Sequence, residues 1–345
     1  NNMSDLLEKV VSTTNIGAGQ GGLLNADQTN RFLDYIWDAT VLGKQVRKIR
    51  MNAPVQEIDK VSVGERIVRG ATEAVDTGEN AGATFSKISL STHKLRLDWE
   101  LSTESLEDNI EGEALEDHLA RLMGTQFGND LEDLAINGNV NSTDPLLKVF
   151  NGYSEILNDT SNANDKANVI DANGGVFDRG VINAALKAMP RKYRQRAHGV
   201  KFFASSGTIQ DYIYSLQAVE ANMVNPESLA AAGVDAAVSP EGGAGFITGN
   251  AFGKRIQEVP LFREDRKEDE YGSAAGTGAA EHSEAWLLAP ENLLWGIKRE
   301  VKVHREYKPK KDTIEYTVFV RAGVQVQNRE ATVVVKNLAQ AASTP

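Results

Sequence analysis

Two extended segments that meet at Gly78-Glu79-Asn80-Ala81-Gly82 constrain this chain more than any other stretch. The first arm runs from about Glu57 to Val75, the second from Phe85 to Leu101. In the second arm Ile88 and Leu90 share one parity, while Leu95, Leu97, Trp99 and Leu101 share the other. Successive strand residues point to opposite faces. A period-2 pattern that changes phase therefore marks a strand that swaps its buried face, here at a bulge or bend near His93-Lys94. The lower half alternates strongly enough to join a sheet on a core. The upper half is rich in Ser, Thr, Gly and charge and has too little apolar surface to hold itself. An isolated two-stranded ribbon is marginal in water. Such a ribbon is expected to lie against something else, and a neighbouring subunit is the economical candidate.

The chain has 345 residues, 41% apolar and 25% charged, which suits two or three lobes with a sizeable core. Its formal net charge of −11 argues against a sequence-specific nucleic-acid binder, which carries a basic face, but not against a protein that encloses nucleic acid without gripping it. Cysteine is absent, so disulfides, thiolate catalysis and cysteine metal sites are excluded. No apolar run approaches the ~20 residues that span a bilayer, and no basic-then-apolar signal opens the chain. An intracellular origin without a membrane partner is the expectation.

Residues 1 to about 26 are polar and Gly-rich, which predicts an arm. Asp27 is placed to cap a helix carrying Phe32, Leu33, Ile36, Trp37 and Val41, ending near Gly43; the basic run Lys44 to Arg50 follows. After the ribbon, the stripe Leu115, Leu119, Leu122, Met123, Phe127, Leu131, Leu134 recurs at steps of three or four and predicts a long helix over 112–136, stopped at Gly138. Residues 150–290 read as an α/β lobe with helices over 178–189 and 208–217 and strands at 200–204 and before Pro260. Residues 263–283 carry almost no apolar side chains, which predicts a mobile surface loop. At the C-terminus Ile297, Val301, Val303 and Tyr307 share one parity, answered by Tyr316, Val318, Val320, Ala322, Val324 and Val326. This is a hairpin with its tip at Lys308-Pro309-Lys310-Lys311-Asp312, followed by a strand over 332–335.

Few residues suggest chemistry. Gly17-Ala-Gly-Gln-Gly-Gly22 fits the G-x-G-x-x-G spacing, but neither a buried strand before it nor a helix after it supports a dinucleotide site. The histidines (93, 118, 198, 282, 304) are dispersed and read as surface residues, with no metal pair among them. The run Glu264–Glu270 is mixed with Arg266 and Lys267 and lacks a calcium-loop spacing. Lys308, Lys310 and Lys311 fit three readings: a phosphate patch, a solubilised turn, or a charged contact to another subunit. No cofactor, metal or catalytic set is expected, so the chain is read as a non-enzyme.

The order of these elements, namely arm, short helix, long two-stranded loop, long helix, inserted α/β lobe and returning hairpin, resembles the major capsid proteins of tailed double-stranded DNA bacteriophages, the Hong Kong 97-type fold. Local phrasing resembles the family too. Gly70-Ala-Thr-Glu-Ala-Val-Asp-Thr-Gly-Glu-Asn-Ala81 through Leu101-Ser-Thr-Glu-Ser-Leu-Glu-Asp108 is similar to its extended loop and the entry to its spine helix, and Ala135-Ile-Asn-Gly138 to the exit. The passages 285–296 and 321–331 are similar to its last peripheral strands.

The resemblance implies an α+β chain with a long spine helix, an extended β-ribbon loop, a peripheral domain and an inserted α/β axial domain. Its boundaries would be an arm and first helix over 1–56, with the helix joining the peripheral domain, and an extended loop over 57–92. Peripheral residues 93–150 carry the spine helix, 151–289 form the axial domain, 290–338 supply peripheral C-terminal strands, and 339–345 are a tail. It further implies self-assembly through hexamers and pentamers into an icosahedral head shell around double-stranded DNA, made in the host cytoplasm and ending in the virion. Scaffolding protein, portal and cement or decoration proteins would be partners. No long scaffolding domain precedes the arm, so scaffolding is either a separate protein or a removed propeptide; Asn1 fits processing, and Met3 fits equally as a natural start. The ribbon tip carries no lysine, which argues against a covalent lysine–asparagine crosslink. Inter-subunit contacts are expected between Glu73, Asp76 and Glu79 on the ribbon and Lys308, Lys310 and Lys311 on the hairpin, with Trp99, Leu119, Phe127 and Leu131 as core packing. The rival readings are an encapsulin-like compartment holding a cargo enzyme and, more remotely, an α/β enzyme.

Overall fold

The computed structural model describes residues 22–23, 40–63, 83–102, 104, 114–161, 165–194, 199–220, 248–268, 277–298 and 302–339. Strands are β1 (Gly22–Leu23), β2 (Arg47–Met51), β3 (Val55–Val63), β4 (Ala83–Ser91) and β5 (His93–Ser102). There follow β6 (Asn168–Asp171), β7 (Lys201–Ala204), β8 (Thr248–Ala251), β9 (Lys254–Glu258) and β10 (Arg266–Glu268). The last are β11 (Thr277–Leu288), β12 (Leu293–Lys298), β13 (Lys302–Lys308), β14 (Thr313–Val326) and β15 (Val333–Ala339). Helices are α1 (Ala114–Asn137), α2 (Tyr153–Asn158), α3 (Arg179–Ala188), α4 (Arg191–Arg194) and α5 (Ser206–Glu220). The helix foreseen over residues 27–43 lies almost wholly outside the described residues.

The chain divides into two compact units. One comprises Asn1–Ala39, Lys94–Gly128 and Glu300–Arg321; the other comprises Thr40–His93, Asn129–Arg299 and Ala322–Pro345. The division at His93/Lys94 coincides with the phase change in the sequence. Strand β4 buries even-numbered Ile88 and Leu90, and β5 buries odd-numbered Leu95 and Leu101. Between them Thr92 leaves the strand and bonds the Pro54 carbonyl through both its amide (2.8 Å) and its hydroxyl (3.1 Å).

In the first unit β13 and β14 form the antiparallel hairpin, in register from Lys302↔Phe319 to Lys308↔Thr313. Gly22 and Leu23, at the end of the glycine-rich run, add as β1 to β13 opposite Arg305 and His304. Strand β5 pairs with β14, and Trp99 stacks on Tyr316 with ring centroids 4.9 Å apart. The alternation along β14 is as the sequence indicates: Ile314, Tyr316, Val318 and Val320 are buried. On the other arm the parity argument fails at Tyr307, which is 53% exposed, and Ile297 belongs to the separate strand β12.

In the second unit, the end of β14 (322–326) pairs with β12, which pairs in parallel with β2. A seven-stranded sheet runs in the order β6-β15-β11-β7-β9-β8, with β10 on β11. The C-terminal strand β15 lies between β6 and β11, inside the sheet of the α/β lobe. Helix α3 begins where the Asp178 carboxylate accepts from the Val181 amide (2.8 Å) and ends where Pro190 forces Met189 out of helical geometry. Its Ile182 and Ala185 join Phe177, Phe202, Tyr212, Ile256, Leu287 and Val335 in one core.

The surface loop foreseen over 263–283 is overturned at 266–268 and 277–283, while 263–265 lie outside any strand. Residues 266–268 and 277–283 are strand, and Arg266, His282, Ser283 and Glu284 are buried. Hydrogen bonding replaces apolar contact there: the Arg266 guanidinium donates to Ser154 Oγ (2.8 Å) and Asn137 Oδ1 (3.3 Å). Composition alone misreads such a segment because a buried polar side chain is stable when its partners are supplied by other elements.

Candidate assembly surfaces

The ribbon pairs β3 with β4 from Val55↔Ser91 to Val63↔Ala83. One face turns to its own unit. Ile88 and Leu90 are buried on it, and Ile58 and Lys60 are half-buried. The ribbon base fits because two glycines lie beneath it. A Cβ at Gly296 would meet Leu90 Cδ2 at 2.8 Å and Met51 Sδ at 2.7 Å, and a Cβ at Gly323 would overlap the Ser91 carbonyl. Gln325 Nε2 donates to the Ser89 carbonyl (3.1 Å), and Lys60 Nζ donates to Asp165 Oδ1 (3.4 Å) and Asn328 Oδ1 (3.2 Å). The opposite face is open. Val55 is 53% and Phe85 73% exposed, beside the exposed pair Lys87–Glu57 at 2.6 Å. The hydrogen bond from Lys87 to Glu57, with the charges of Glu57 and Asp59, holds the Lys87 ammonium above its ordinary pKa. Glu73, Asp76 and Glu79 lie outside the described residues.

At the hairpin tip the Lys311 amide closes the turn on the Lys308 carbonyl (3.1 Å), and Asp312 adopts positive φ (53°) while accepting from Tyr307 Oη (2.6 Å). Lys308 pairs with Glu315, and Lys311 with Glu100 at 3.2 Å. Two of the three tip lysines thus have acidic partners in their own chain, and Lys310 is exposed. The sequence pattern gave no sign of the second pair, because Glu100 is remote in sequence from the tip.

Of the expected core residues on α1, Phe127 and Leu131 are buried, Leu119 is half-buried, and Leu122 is 52% exposed. Trp99 is half-buried on Tyr316. The residue that stripe counting passed over is Glu132, 1% exposed near the end of α1. Its carboxylate accepts from the amides of Val41 (2.8 Å), Leu42 and Gly43 (3.3 Å), so one side chain fixes the segment that leads into β2. Burial pushes the Glu132 carboxyl above its ordinary pKa, against the pull of those three amides and of Lys44. Tyr153, fully buried, donates to the Leu294 carbonyl (3.0 Å) and is pushed well up by burial and by the charge of Glu132. Among the described residues no group of His, Asp and Glu is arranged to hold a metal ion. His282 is buried, not a surface histidine.

No family model matches the chain. A prophage capsid protein, YqbE of Bacillus subtilis (strain 168), is 25% identical over 285 residues, 82% of each chain. Among solved structures, the satellite phage P4 procapsid, which includes a size determination protein, is similar over 97% of this chain and 95% of its own (TM-score 0.59, 11% identity). The holo-SrpI encapsulin complex of Synechococcus elongatus PCC 7942 is similar over 99% and 98% (TM-score 0.55, 11% identity). Element order and backbone similarity along nearly the whole length agree that the chain has the Hong Kong 97-type fold, and it is similar over 82% of its length to a prophage capsid protein.

Proposed function

We propose that this chain is a major capsid protein whose copies build the icosahedral head shell enclosing the double-stranded DNA of a tailed phage. The observation that carries the reading is the ribbon. It is docked by one face on its own unit and leaves Val55, Phe85 and a charged pair on the other face to water. A subunit that ends as a monomer gains nothing from such an element; a subunit in a lattice has neighbours to cover it. The net charge of −11 suits a wall that retains DNA without binding it along its length. The chain then acts as a structural protein, not an enzyme. Residues 57–92 serve as extended loop, 151–289 as axial domain, joined by the strand 333–339 that lies inside its sheet, and 93–150 with 290–332 as peripheral domain. Hexamers and pentamers are the intermediates, and scaffolding, portal and decoration proteins are partners during assembly in the host cytoplasm. Glu73, Asp76 and Glu79 of one subunit face the Lys308–Lys311 tip of another.

The similarity to an encapsulin favours a second reading, a compartment around a cargo enzyme. Electron microscopy of particles purified from a producing host separates the two. DNA-filled heads support the phage shell, small closed shells around protein support the compartment, and a discrete oligomer contradicts both.

A further inference from the structure

Residues 179–210 hold seven of the chain's 37 lysines and arginines and none of its 48 acids, so the rest of the sequence has 30 cations against 48 acids. A surface that serves solubility alone mixes both signs. Like charges gathered in one stretch repel each other, and a polyanion relieves that repulsion. Much of this charge is answered within the chain. Lys192 Nζ pairs with Glu330 at 3.1 Å, with both side chains about half exposed. Arg194 donates to the Leu186 carbonyl (3.2 Å) at the end of α3, and Lys201 to Gln45 Oε1 (3.2 Å). Arg179 follows Asp178, whose capping carboxylate offsets it. Lys187 and Arg191 remain. Both are exposed, and among the described residues neither side chain has a hydrogen bond or an ion pair.

The two cations flank a firmly held turn. On α3, Ile182 and Ala185 face the core, which leaves Lys187 in water at the helix end. The Pro190 carbonyl then accepts from the amides of Tyr193 and Arg194, both at 3.0 Å. Tyr193 Oη accepts from Asn328 Nδ2 (2.7 Å). Helix α4 is thus fixed to residue 328 through Tyr193 and to α3 through Arg194, so Arg191 is presented with little left to order. Among the described residues from 177 to 213 no large apolar side chain is exposed. A protein interface has apolar or aromatic anchors at its centre, whereas a nucleic-acid contact is polar and basic.

We infer that the α3–α4 turn, through Lys187 and Arg191 with the Lys192–Glu330 pair beside them, is a contact for the phosphate backbone of double-stranded DNA. The contact reads no sequence and is too small to hold a genome alone. The inference rests on the shell reading for its ligand and deepens it: DNA touches an otherwise acidic wall at one basic point per copy.

The test measures binding of the unassembled full-length chain to a short blunt DNA duplex across a salt series. Each phosphate contact adds about −0.9 to the slope of log K against log salt, so Lys187→Gln, Arg191→Gln should flatten the slope by about 2. Between ~50 and ~200 mM salt the parent should then lose about twelvefold more affinity than the double variant. Melting should be unchanged. Lys148→Gln, Lys254→Gln removes the same charge elsewhere and should bind as the parent does; equal flattening there would mean net charge alone and would overturn the site. No binding at the lowest salt, or an unaltered slope in the Lys187→Gln, Arg191→Gln variant, overturns it as well. Retention of poly-glutamate in place of the duplex also overturns it and assigns the turn to an acidic protein. Particle images judge the shell reading separately. Shells from a chain that binds no duplex leave that reading standing and overturn the contact. A chain that binds duplex through these two residues and never forms a shell supports the contact and contradicts the shell.

Discussion

At the scale of single residues, buried polar groups decide more than the apolar stripes do. Glu132 holds three backbone amides, those of Leu42 and Gly43 buried, so Glu132→Ala leaves buried donors unpaired and should destabilise the subunit by on the order of 3 kcal/mol. Its pH dependence has a definite sign. Burial raises the folded-state pKa, so the folded chain binds this proton more tightly than the unfolded chain. The contribution is full below the ordinary carboxylate range and declines as pH rises from there to the raised value. Denaturant unfolding of parent and Glu132→Gln across that window should show the parent's advantage shrinking as pH rises. A parallel pair of curves would mean that the carboxyl titrates normally. Phe127→Ala, at a buried ring on α1, should cost about 3–5 kcal/mol, and unchanged melting would show that the ring is not packed. None of the signals used on the sequence could have found Glu132, since an acid among acids on a helix looks like a solvated face. Phe127 and Leu131 were legible because the 3.6-residue period repeats around them.

At the scale of elements, the strands that alternate were readable and the strand built on polar contacts was not. The face swap between β4 and β5 follows from parity, and β14 buries Ile314 through Val326 on one side for the same reason. Residues 266–268 and 277–283 escaped because hydrogen bonds to Ser154 and Asn137, more than a hundred residues away, stabilise what local composition describes as a loop. The ribbon shows the same division. Its sequence indicates a weakly self-supporting element, yet the glycines beneath its base and the Gln325 and Lys60 bonds are long-range facts. Gly323→Ala should force β14 and the ribbon base apart and destabilise by about 1–3 kcal/mol, with faster proteolysis of the ribbon. Hydrogen exchange should find amides of 88–91 protected in free subunits and in particles alike, and those nearer the ribbon tip protected in particles alone. Equal protection throughout would remove the neighbour from the account of the ribbon.

At the scale of the whole molecule, small surface terms matter because a lattice repeats them. Exposed ion pairs contribute only ~0–1 kcal/mol each and weaken with salt. Two tip lysines are already paired in their own chain, so reversing them also disturbs the subunit. Lys310→Glu is the cleaner probe: assembly should need lower salt or higher concentration, with unaltered subunit melting. The full reversal at Lys308, Lys310 and Lys311 should be rescued by Glu73→Lys, Asp76→Lys and Glu79→Lys if ribbon and tip meet directly. Failure of that rescue, with both variants folded, would separate the two elements.

A subunit whose ribbon leaves one face to water should be complete only among copies of itself. Cryo-electron microscopy of the purified chain, expressed with the gene products that accompany it, measures this. The expected result is a closed icosahedral shell in which each ribbon's open face, with Val55 and Phe85, is covered by an adjacent subunit. A homogeneous monomer or small oligomer with that face still in water would contradict it.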